Sequence, residues 1–390
     1  MRKMGILFDK KEDCYGCGAC ANICPKNAIE LIQDEQGFSY PKVDQEKCIE
    51  CGLCSKSCQI GKESNHKNPA NEKCYGFKHN NAIRIKSSSG GIYSLLSDYV
   101  IKMGGCCVGV IFDQEFNVVY KIADDEDTRN KFRGSKYVQS KTGTIYKQVG
   151  EKLLENRLVL FTGTSCQVAG LKQYLEIKKI NVEKLITIDM VCHGSPSPKI
   201  WKDYVAYLEK NSKGKLIDYL FRNKEHGWRG YHIKAVFDNG VVYDDNEISR
   251  TYANLFSMDL MIRPSCFYCP YTSLRRVGDI TIGDFWGIEK IDNEFSDNQG
   301  ISLVILNSEK GNKLFQNIHT DEIVTKEFDA SSLTQPNLYK PTDYGNDYDE
   351  FWNDYKKHSY SYVAKKYGNQ GLIGKIYYYK GAIKYKLKNR

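Results

Sequence analysis

Eight cysteines near the start of the chain have the types and spacing of iron–sulfur ligands. The run CYGCGACANICP follows the pattern C-x2-C-x2-C-x3-C-P, and CIECGLCSKSC repeats its spacing 34 residues further on, with Gln59 where a proline would follow. Cysteines in this pattern hold 4Fe–4S clusters, and the fourth cysteine of each run normally ligates the other cluster. We therefore predict one cluster bound by Cys14, Cys17, Cys20 and Cys58, and a second bound by Cys48, Cys51, Cys54 and Cys24.

Two zinc knuckles are the alternative for the same eight cysteines. Two tandem copies of one four-cysteine run are much more typical of a two-cluster ferredoxin, so we predict a ferredoxin module. Such a module transfers single electrons and transforms no substrate. The rest of the chain must therefore supply either a redox reaction or a docking surface for a catalytic partner.

Four further cysteines lie far from this head, and the sequence leaves their role open. Cys166 and Cys192 are predicted to lie where a strand ends and a helix begins, where free N–H groups favour anionic ligands. Cys266 and Cys269 form a Cys-x-x-Cys pair. The four could close a third iron–sulfur cluster or a zinc site, or they could be unrelated core or redox thiols. His193 could replace one ligand, although a lone histidine is more often a hydrogen-bonding neighbour.

The remaining composition indicates a globular protein of a reducing compartment. The chain has 390 residues and 15 cysteines, too long for a disulfide-stapled scaffold, and Cys74, Cys106 and Cys107 are predicted to be core thiols. The N-terminus has no apolar signal segment, and no apolar run approaches the roughly 18 residues of a membrane span. We therefore expect a cytoplasmic protein.

The net charge of +8 is concentrated at the end of the chain. Residues 353–390 contain ten basic residues and one acid, a net +9 that leaves −1 for the rest. A nucleic-acid groove needs positive charge on the body, so we predict no nucleic-acid partner. The tail also has an apolar stripe flanked by lysines, which suggests peripheral membrane contact, with packing on the body as the favoured alternative. The stripe consists of Leu372, Ile376, Tyr379, Ile383 and Leu387.

The apolar pattern predicts an α+β ferredoxin-like two-cluster head followed by an α/β body with a mixed sheet. Strand-like and helix-like segments alternate in the body, as in LVLFTGTSCQVAGLKQYL, and KAVFDNGVVY has the pattern of a hairpin. We place the head at residues 1–62, a polar linker at 63–75, the body at 76–342 and a basic Tyr/Lys-rich helical tail at 343–390.

Three stretches of the body combine small residues with groups that bind phosphate or a planar heterocycle. A Ser-Gly turn precedes a helical pattern in KSSSGGIYSLL, FRGSKYVQS supplies Arg133 and Lys136, and GTSCQ permits close backbone approach to a ligand. Taken singly, each is more often an ordinary turn, and no catalytic residue can be assigned. The candidate cofactor-binding residues are Ser88, Ser89, Gly90, Gly91, Gly134, Ser135, Lys136, Tyr137, Gly163, Thr164 and Gln167.

Taken in order, these stretches resemble the coenzyme F420 hydrogenase/dehydrogenase beta-subunit family of iron–sulfur flavoproteins. The matching segments are SSSGGIYSLL, FRGSKYVQS, GTSCQVAGL, CHGSPSPKIW, FRNKEHGWRGY, CFYCPYTSLRRVGDITIGDFWG and GISLVILNSEKG. A ferredoxin head is a frequent companion of this body. Where relatives usually read Gly-Thr-Pro-Cys-Gln, this chain has Ser165 in place of the proline.

The resemblance implies a flavoprotein that binds FAD, with FMN as the alternative, and a third 4Fe–4S cluster held by the four body cysteines. The expected function is an oxidoreductase that passes electrons between a hydride-type organic substrate, coenzyme F420 or another, the flavin, the clusters and a one-electron protein partner. The alternative is a non-catalytic electron-transfer subunit that docks on a catalytic partner. Neither the substrate nor the direction of electron flow follows from the family.

Overall fold

The structure, a computed structural model, describes residues 7–318, 320–345 and 347–368. The head consists of α1 (Ala19–Ile23), β1 (Ile29–Gln33), β2 (Ser39–Val43) and α2 (Leu53–Ser57). The strands form an antiparallel hairpin, and each short helix begins after a glycine with a positive φ, 76° at Gly18 and 71° at Gly52. Glycine adopts this left-handed conformation at little cost, so each cysteine run can turn sharply into its helix.

The first half of the body alternates strands and helices, as the sequence pattern predicts. Its elements are β3 (Lys73–Lys78), α3 (Asn81–Ile85), α4 (Ile92–Lys102), β4 (Cys106–Phe112), β5 (Val118–Ala123), α5 (Glu126–Asn130), α6 (Ile145–Leu154), β6 (Val159–Thr164), α7 (Ser165–Ile177), β7 (Leu185–Met190) and α8 (Pro198–Ser212). β3 begins at Lys73, so the last residues of the segment predicted as linker lie in a strand.

The second half adds a small sheet and completes the large one. Its elements are β8 (Leu216–Leu220), β9 (Lys234–Phe237), β10 (Val242–Asp244), α9 (Arg250–Ser257), β11 (Ile280–Asp284), α10 (Ile288–Ile291), β12 (Ser302–Leu306), α11 (Glu309–Gln316), β13 (Val324–Asp329), α12 (Tyr348–Lys357) and α13 (Tyr360–Lys366). A 3₁₀ segment, Pro264–Tyr268, carries Cys266.

The large sheet has eight strands in the order β13-β3-β12-β11-β7-β6-β4-β5. The four strands β11, β7, β6 and β4 are mutually parallel, and the outer pairs are antiparallel. The predicted α/β body with a mixed sheet is therefore confirmed. Helices α4 and α11 cover one face and α6 and α7 the other, so the central strands β6 and β7 bury residues on both faces of the sheet.

A second, aromatic core joins the head, the small sheet and the last described helices. Trp201 of α8, Phe237 of β9 and Phe351 of α12 are buried in it, together with Phe38 of the head. Residues 348–366, which the sequence assigned to the tail, thus pack against the body. The apolar stripe between Leu372 and Leu387 lies outside the described residues, and its membrane contact stays a prediction. No helix in the described ranges combines the length and apolarity needed to cross a membrane.

Candidate functional site

A cavity of about 280 Å³ opens at the carboxyl ends of the parallel strands. The wall residues Val110, Met190 and Ile282 come from β4, β7 and β11, and β6 contributes Thr162 to Thr164. Ligands of open α/β sheets bind at this edge, where the loops that follow the strands converge. Ten of the eleven predicted cofactor-binding residues line the cavity; Gly90 does not. Its N–H instead donates to Ser302 Oγ over 2.9 Å.

The Ser-Gly turn lies at the N-terminus of α4, as predicted. Gly91 caps the helix with a φ of 92°, and the residues of the first turn of α4, from Gly91 to Ser94, line the cavity. Ser88 Oγ accepts hydrogen bonds from the backbone N–H of Ser135 at 2.7 Å and from its hydroxyl at 3.0 Å. The turn and the FRGSKYVQS stretch are therefore one wall. A helix N-terminus with free donors is suited to bind phosphate.

The two cations of that wall have different environments. Lys136 Nζ donates to the carbonyl oxygens of Lys131, Arg133 and Gly134, each at 3.1 Å, and burial lowers the pKa of Lys136 to about 8. Its ammonium group therefore holds the turn together. Arg133 Nε donates to Ser94 Oγ at 2.8 Å, and its guanidinium forms no ion pair among the described residues. Arg133 is thus the better placed of the two to bind an anion in the cavity.

The floor of the cavity contains a buried polar cluster. Gln167 Oε1 accepts from the hydroxyl of Tyr120 at 2.8 Å and from the N–H of Thr164 at 3.1 Å, while Gln167 Nε2 donates to Ser140 Oγ at 2.8 Å. Gln167 is therefore held by the protein itself. The hydroxyl of Thr162, buried in the same wall, has no partner among the described residues. A buried hydroxyl without a partner is costly, which favours a polar ligand beside it.

The eight head cysteines form two groups with the membership that the sequence predicts. One small cavity is lined by Cys14, Cys17, Cys20 and Cys58, and another by Cys24, Cys48, Cys51 and Cys54. All eight are free thiols. The first group is the more enclosed, and burial raises the pKa of the Cys17 thiol, opposed in part by a backbone hydrogen bond from Ala19. In the second group Cys51 is exposed.

Backbone N–H groups point at several of the cysteine sulfur atoms. Ala28 N–H donates to Cys24 Sγ over 3.3 Å, and Ser195 N–H donates to Cys266 Sγ over 3.4 Å. Such donors stabilise thiolates that carry an iron–sulfur cluster. No three His, Cys, Asp or Glu side chains in the described ranges are placed to hold a single metal ion. A 4Fe–4S cluster binds each thiolate to a different iron, so its ligands lie farther apart than those of one ion.

The four body cysteines converge from three segments onto one position and form the body group, which consists of Cys166, Cys192, Cys266 and Cys269. Burial raises the pKa of the Cys192 thiol well above its ordinary value, and Cys266, Cys166 and Cys269 raise it further. Burial likewise raises the pKa of Cys266 to about 12 and that of Cys269 to about 11. Four thiols that disfavour each other's ionisation in a desolvated site are suited to a cationic iron core that would neutralise them.

The elements that carry these cysteines differ in one respect from the sequence prediction. Cys166 is the second residue of α7 and directly follows β6, as expected. Cys192 follows β7 but lies in a loop, and α8 starts only at Pro198, with Ser197 as its cap. The prediction that Cys192 lies at a helix start was therefore wrong, because proline at the first helical position and the serine before it fix the start six residues later.

A buried ion pair that the sequence analysis missed ties the cysteine segments together. Arg276 Nη2 lies 3.1 Å from Asp189 Oδ2, and both side chains are fully buried. The same guanidinium donates to the carbonyl oxygens of Met190 at 2.9 Å and Tyr271 at 2.8 Å. These contacts join the strand before Cys192 to the loop after Cys269. A buried arginine has no signature in a single sequence, so no signal pointed to it.

Ser165, the departure from the family pattern, completes this network. Its hydroxyl donates to Asp189 Oδ2 at 3.0 Å and accepts from Arg276 Nη2 at 2.8 Å. Because Ser165 precedes Cys166, the start of α7 is fastened to the other two cysteine segments. A proline at this position could make neither contact.

Ser165→Ala should lower the free energy of unfolding by about 1–3 kcal/mol, because a buried charged group loses a hydrogen-bond partner. Ser257→Ala is the matched control, since Ser257 is exposed and bonds only within its own helix, to Asn254. The check is chemical denaturation of both variants under anaerobic conditions. Equal stability of the two would show that the Ser165 hydroxyl contributes nothing to this network.

The head contacts the body through its first cysteine run. A Cβ on Gly170 of α7 would lie 3.2 Å from Cys17 Sγ, and the hydroxyl of Tyr146 lies 2.7 Å from the Cys17 carbonyl oxygen. α7 therefore carries Cys166 at its start and touches Cys17 one turn later. This places the first head group next to the body group, and the second head group farther out.

Gly18 and Gly52 offer a matched test of this contact. Both cap a head helix with a positive φ, but a Cβ on Gly18 would lie 2.2 Å from Thr142 Oγ1, whereas nothing lies within 4 Å of one on Gly52. Each alanine substitution should cost about 1 kcal/mol of backbone strain. Gly18→Ala should cost a further ~1–3 kcal/mol from overpacking against the body. Thermal unfolding of the two variants measures the difference, and equal melting temperatures would contradict this docking.

A further arginine near the cavity, Arg222, is engaged in a closed cluster. Arg222 pairs with Asp284 at 2.8 Å, and its guanidinium lies 4.4 Å from the ring centre of Tyr231. Trp228 Nε1 donates to the other oxygen of Asp284 at 2.9 Å. Asp284 lines the cavity, whereas the carboxylate of Asp279 is bound by Thr187 and Ser308. The three further cysteines, Cys74, Cys106 and Cys107, are buried in the core.

Comparison with known proteins gives matches for both parts of the chain. Residues 13–62 match the model of the 4Fe-4S dicluster domain, and residues 156–331 match that of the C terminus of the coenzyme F420 hydrogenase/dehydrogenase beta subunit. A chain of the F420-reducing NiFe hydrogenase complex from Methanosarcina barkeri has a TM-score of 0.46 and 17% identity, covering 76% of this chain and 91% of that one.

Curated relatives match over short segments. An uncharacterized polyferredoxin-like protein of Methanocaldococcus jannaschii is 34% identical over 74 residues, 17% of this chain and 44% of that protein. An uncharacterized ferredoxin of the same organism is 40% identical over 53 residues, 14% of this chain and 66% of that protein. One component of the Na(+)-translocating ferredoxin:NAD(+) oxidoreductase complex of Acetobacterium woodii is 44% identical over 45 residues, 12% of each chain. This chain thus spans less than two thirds of each relative's length.

The two family matches agree with the two parts of the structure. The cysteine-rich head coincides with the dicluster match, and α7, all four body cysteines and part of the cavity wall fall within the second match. Residues 13–62 therefore correspond to a 4Fe–4S dicluster domain, and residues 156–331 of the body are similar to the C terminus of the coenzyme F420 hydrogenase/dehydrogenase beta subunit.

Proposed function

We propose that this chain is an iron–sulfur flavoprotein oxidoreductase that passes electrons between a hydride-type organic substrate, a flavin in the cavity, three 4Fe–4S clusters and a protein partner. The observation that carries this proposal is that the cavity and the body cysteines share one wall. Thr164 lines the cavity and stands two residues before Cys166. Ser195 lines the cavity as well, and its N–H donates to Cys266 Sγ.

The cavity residues fit a flavin, with FAD as the first choice and FMN as the alternative. Arg133 and the N-terminus of α4 supply a cation and free N–H donors for phosphate. Val110 and Ile282 give the apolar surface that a planar ring system needs, and the buried hydroxyl of Thr162 lacks a partner among the described residues. A flavin supplies the exchange between two-electron hydride donors and one-electron clusters.

The order of the cysteine groups supports a path from the cavity to the protein surface. The body group borders the cavity, Cys17 of the first head group touches α7, and the second head group ends at the exposed Cys51. The proposed third cluster, held by Cys166, Cys192, Cys266 and Cys269, would bridge cavity and head. A one-electron partner or a catalytic partner protein would dock near Cys51, in a reducing, cytoplasmic compartment.

Coenzyme F420 is the first candidate substrate, because the body matches the model of a coenzyme F420 hydrogenase/dehydrogenase beta subunit. Another hydride-type organic substrate is the alternative. The residues of the chain would position the substrate in the cavity and exclude water from it. The cation at Arg133 and the hydroxyl of Thr162, which has no partner among the described residues, stand at different places in the cavity wall. Together they would orient a ligand that carries both anionic and hydrogen-bonding groups.

The rival function is a non-catalytic electron-transfer protein that docks on a catalytic partner and binds no flavin. Anaerobic purification of the full chain, followed by reconstitution with FAD or FMN and by iron and flavin assays, distinguishes the two. We expect one flavin per chain and about 12 iron atoms for three clusters. A chain that binds neither flavin at micromolar concentration is the rival carrier, and about 8 iron atoms would limit the clusters to the head.

A further inference from the structure

Arg263 is fully buried and, unlike the other buried arginines of the described chain, it has no carboxylate as a counter-charge. The side chains of Arg84, Arg129, Arg222 and Arg276 are also buried, and each forms an ion pair with an aspartate. Arg263, with an exposed fraction of 0%, forms no ion pair with any described carboxylate. A buried charge without a counter-charge is strongly unfavourable, so the site implies an anion that the side chains do not supply.

The contacts of Arg263 place it between the first head group and the body group. Its Nε donates to the carbonyl oxygen of Cys14 at 2.7 Å. Its own backbone N–H donates to Ser195 O, and its carbonyl oxygen accepts from Cys266 N–H, both at 2.9 Å. The positive charge also opposes the rise in pKa that burial causes at Cys166 and Cys266. One guanidinium therefore faces cysteines of two different groups.

One nitrogen of the Arg263 guanidinium, Nη2, has no hydrogen-bond partner among the described residues. Nη1 donates to Gln139 Oε1 at 3.2 Å, and the ring centre of Tyr40 lies 4.2 Å from the guanidinium carbon. The Nη2 atom is itself buried. Neutral partners such as an amide, a carbonyl and an aromatic ring orient the group but do not neutralise it.

We propose that Arg263 is the shared counter-charge of the first head cluster and the body cluster, and that it raises the reduction potentials of both. This inference rests on the clusters of the proposed function. A 4Fe–4S cluster with four thiolates is an anion, and reduction adds one further negative charge. A fixed cation beside it therefore stabilises the reduced form more than the oxidised form, and the potential rises. Arg263 is a positioning and tuning residue, because it touches the ligand segments and not the substrate.

The test compares Arg263→Gln with Arg263→Lys in the anaerobically reconstituted full chain. Both substitutions remove the planar fork that binds the Cys14 carbonyl oxygen, but only glutamine removes the charge. Potentiometric titration followed by electron paramagnetic resonance should show that R263Q shifts the reduction equilibrium of both adjoining clusters about tenfold toward the oxidised form, which is 59 mV for one electron. R263K should keep most of the original potential.

Two internal references make the result specific. The cluster of Cys24, Cys48, Cys51 and Cys54 should keep its potential in both variants, and Arg229→Gln, a substitution of a half-exposed arginine, should move no potential. Equal potentials in R263Q and the unaltered chain would overturn the inference. Loss of all iron from both variants would also overturn the inference, because Arg263 would then be needed for cluster assembly and not for setting the potential. About 8 iron atoms in the unaltered chain would instead refute the body cluster, and a shift of the first head cluster would still be measurable.

Discussion

Replacing Cys266 and Cys269 by serine should remove about four iron atoms from the chain and leave the spectrum of the head clusters intact. The two cysteines come from the 3₁₀ segment and the residue after it, and they lie with Cys166 and Cys192 in one site. The head groups have their own four cysteines each. The loss should therefore be confined to one cluster. Iron assay and electron paramagnetic resonance of the reconstituted chain measure it.

Cys74→Ala is the matched control for this double substitution. Cys74 is fully buried in β3 and belongs to no group of cysteines, so its removal should leave the iron content unchanged. If the double serine variant and the unaltered chain both contain about 8 iron atoms, the body cysteines hold no cluster.

Arg133→Met should weaken flavin binding about tenfold to a hundredfold without changing the iron content. A charge-assisted hydrogen bond to phosphate contributes roughly 1.5–3 kcal/mol, and about 1.4 kcal/mol corresponds to tenfold in affinity. Arg133 lines the cavity and forms no ion pair among the described residues. Arg133 belongs to none of the cysteine groups, so its substitution should leave the iron content unchanged. A fall in iron content together with the loss of flavin affinity would instead indicate a general loss of structure.

Lys131→Met is the control, since it removes one positive charge from the same turn at an exposed position outside the cavity wall. Flavin dissociation constants of the three proteins, measured by fluorescence quenching under anaerobic conditions, give the comparison. Equal weakening by both substitutions would mean that only the general charge of the turn matters, and the assigned phosphate contact would be refuted.

The cysteine groups of the head were predictable because metal chemistry imposes their spacing on the chain. The crossing of Cys24 and Cys58 between the two head groups follows from the pattern alone, and the structure has the same membership. The body group could not be derived from spacing, because its members lie on three distant segments. Only the topology of the sheet, in which β6 and β7 are neighbours, brings Cys166 and Cys192 together.

What the sequence could not predict concerns buried polar side chains. The sequence alone does not distinguish Arg263, Arg276 and Asp189 from charged residues on the surface. Their roles depend on their burial in the folded chain. Lys136 was selected as a phosphate contact, yet its ammonium group is held by backbone carbonyl oxygens of its own turn. Side-chain direction inside a turn depends on the local backbone, which composition does not reveal.

The measurement that tests the central claim most directly is anaerobic reduction of the reconstituted chain, with and without bound flavin. A hydride donor, either a reduced deazaflavin or a reduced nicotinamide, and dithionite are compared as reductants, and cluster bleaching is followed by absorbance. We predict that the hydride donor bleaches the clusters only when flavin is bound, whereas dithionite bleaches them in either case. Bleaching by the hydride donor at the same rate without flavin, or no bleaching by any hydride donor with flavin bound, would contradict the account.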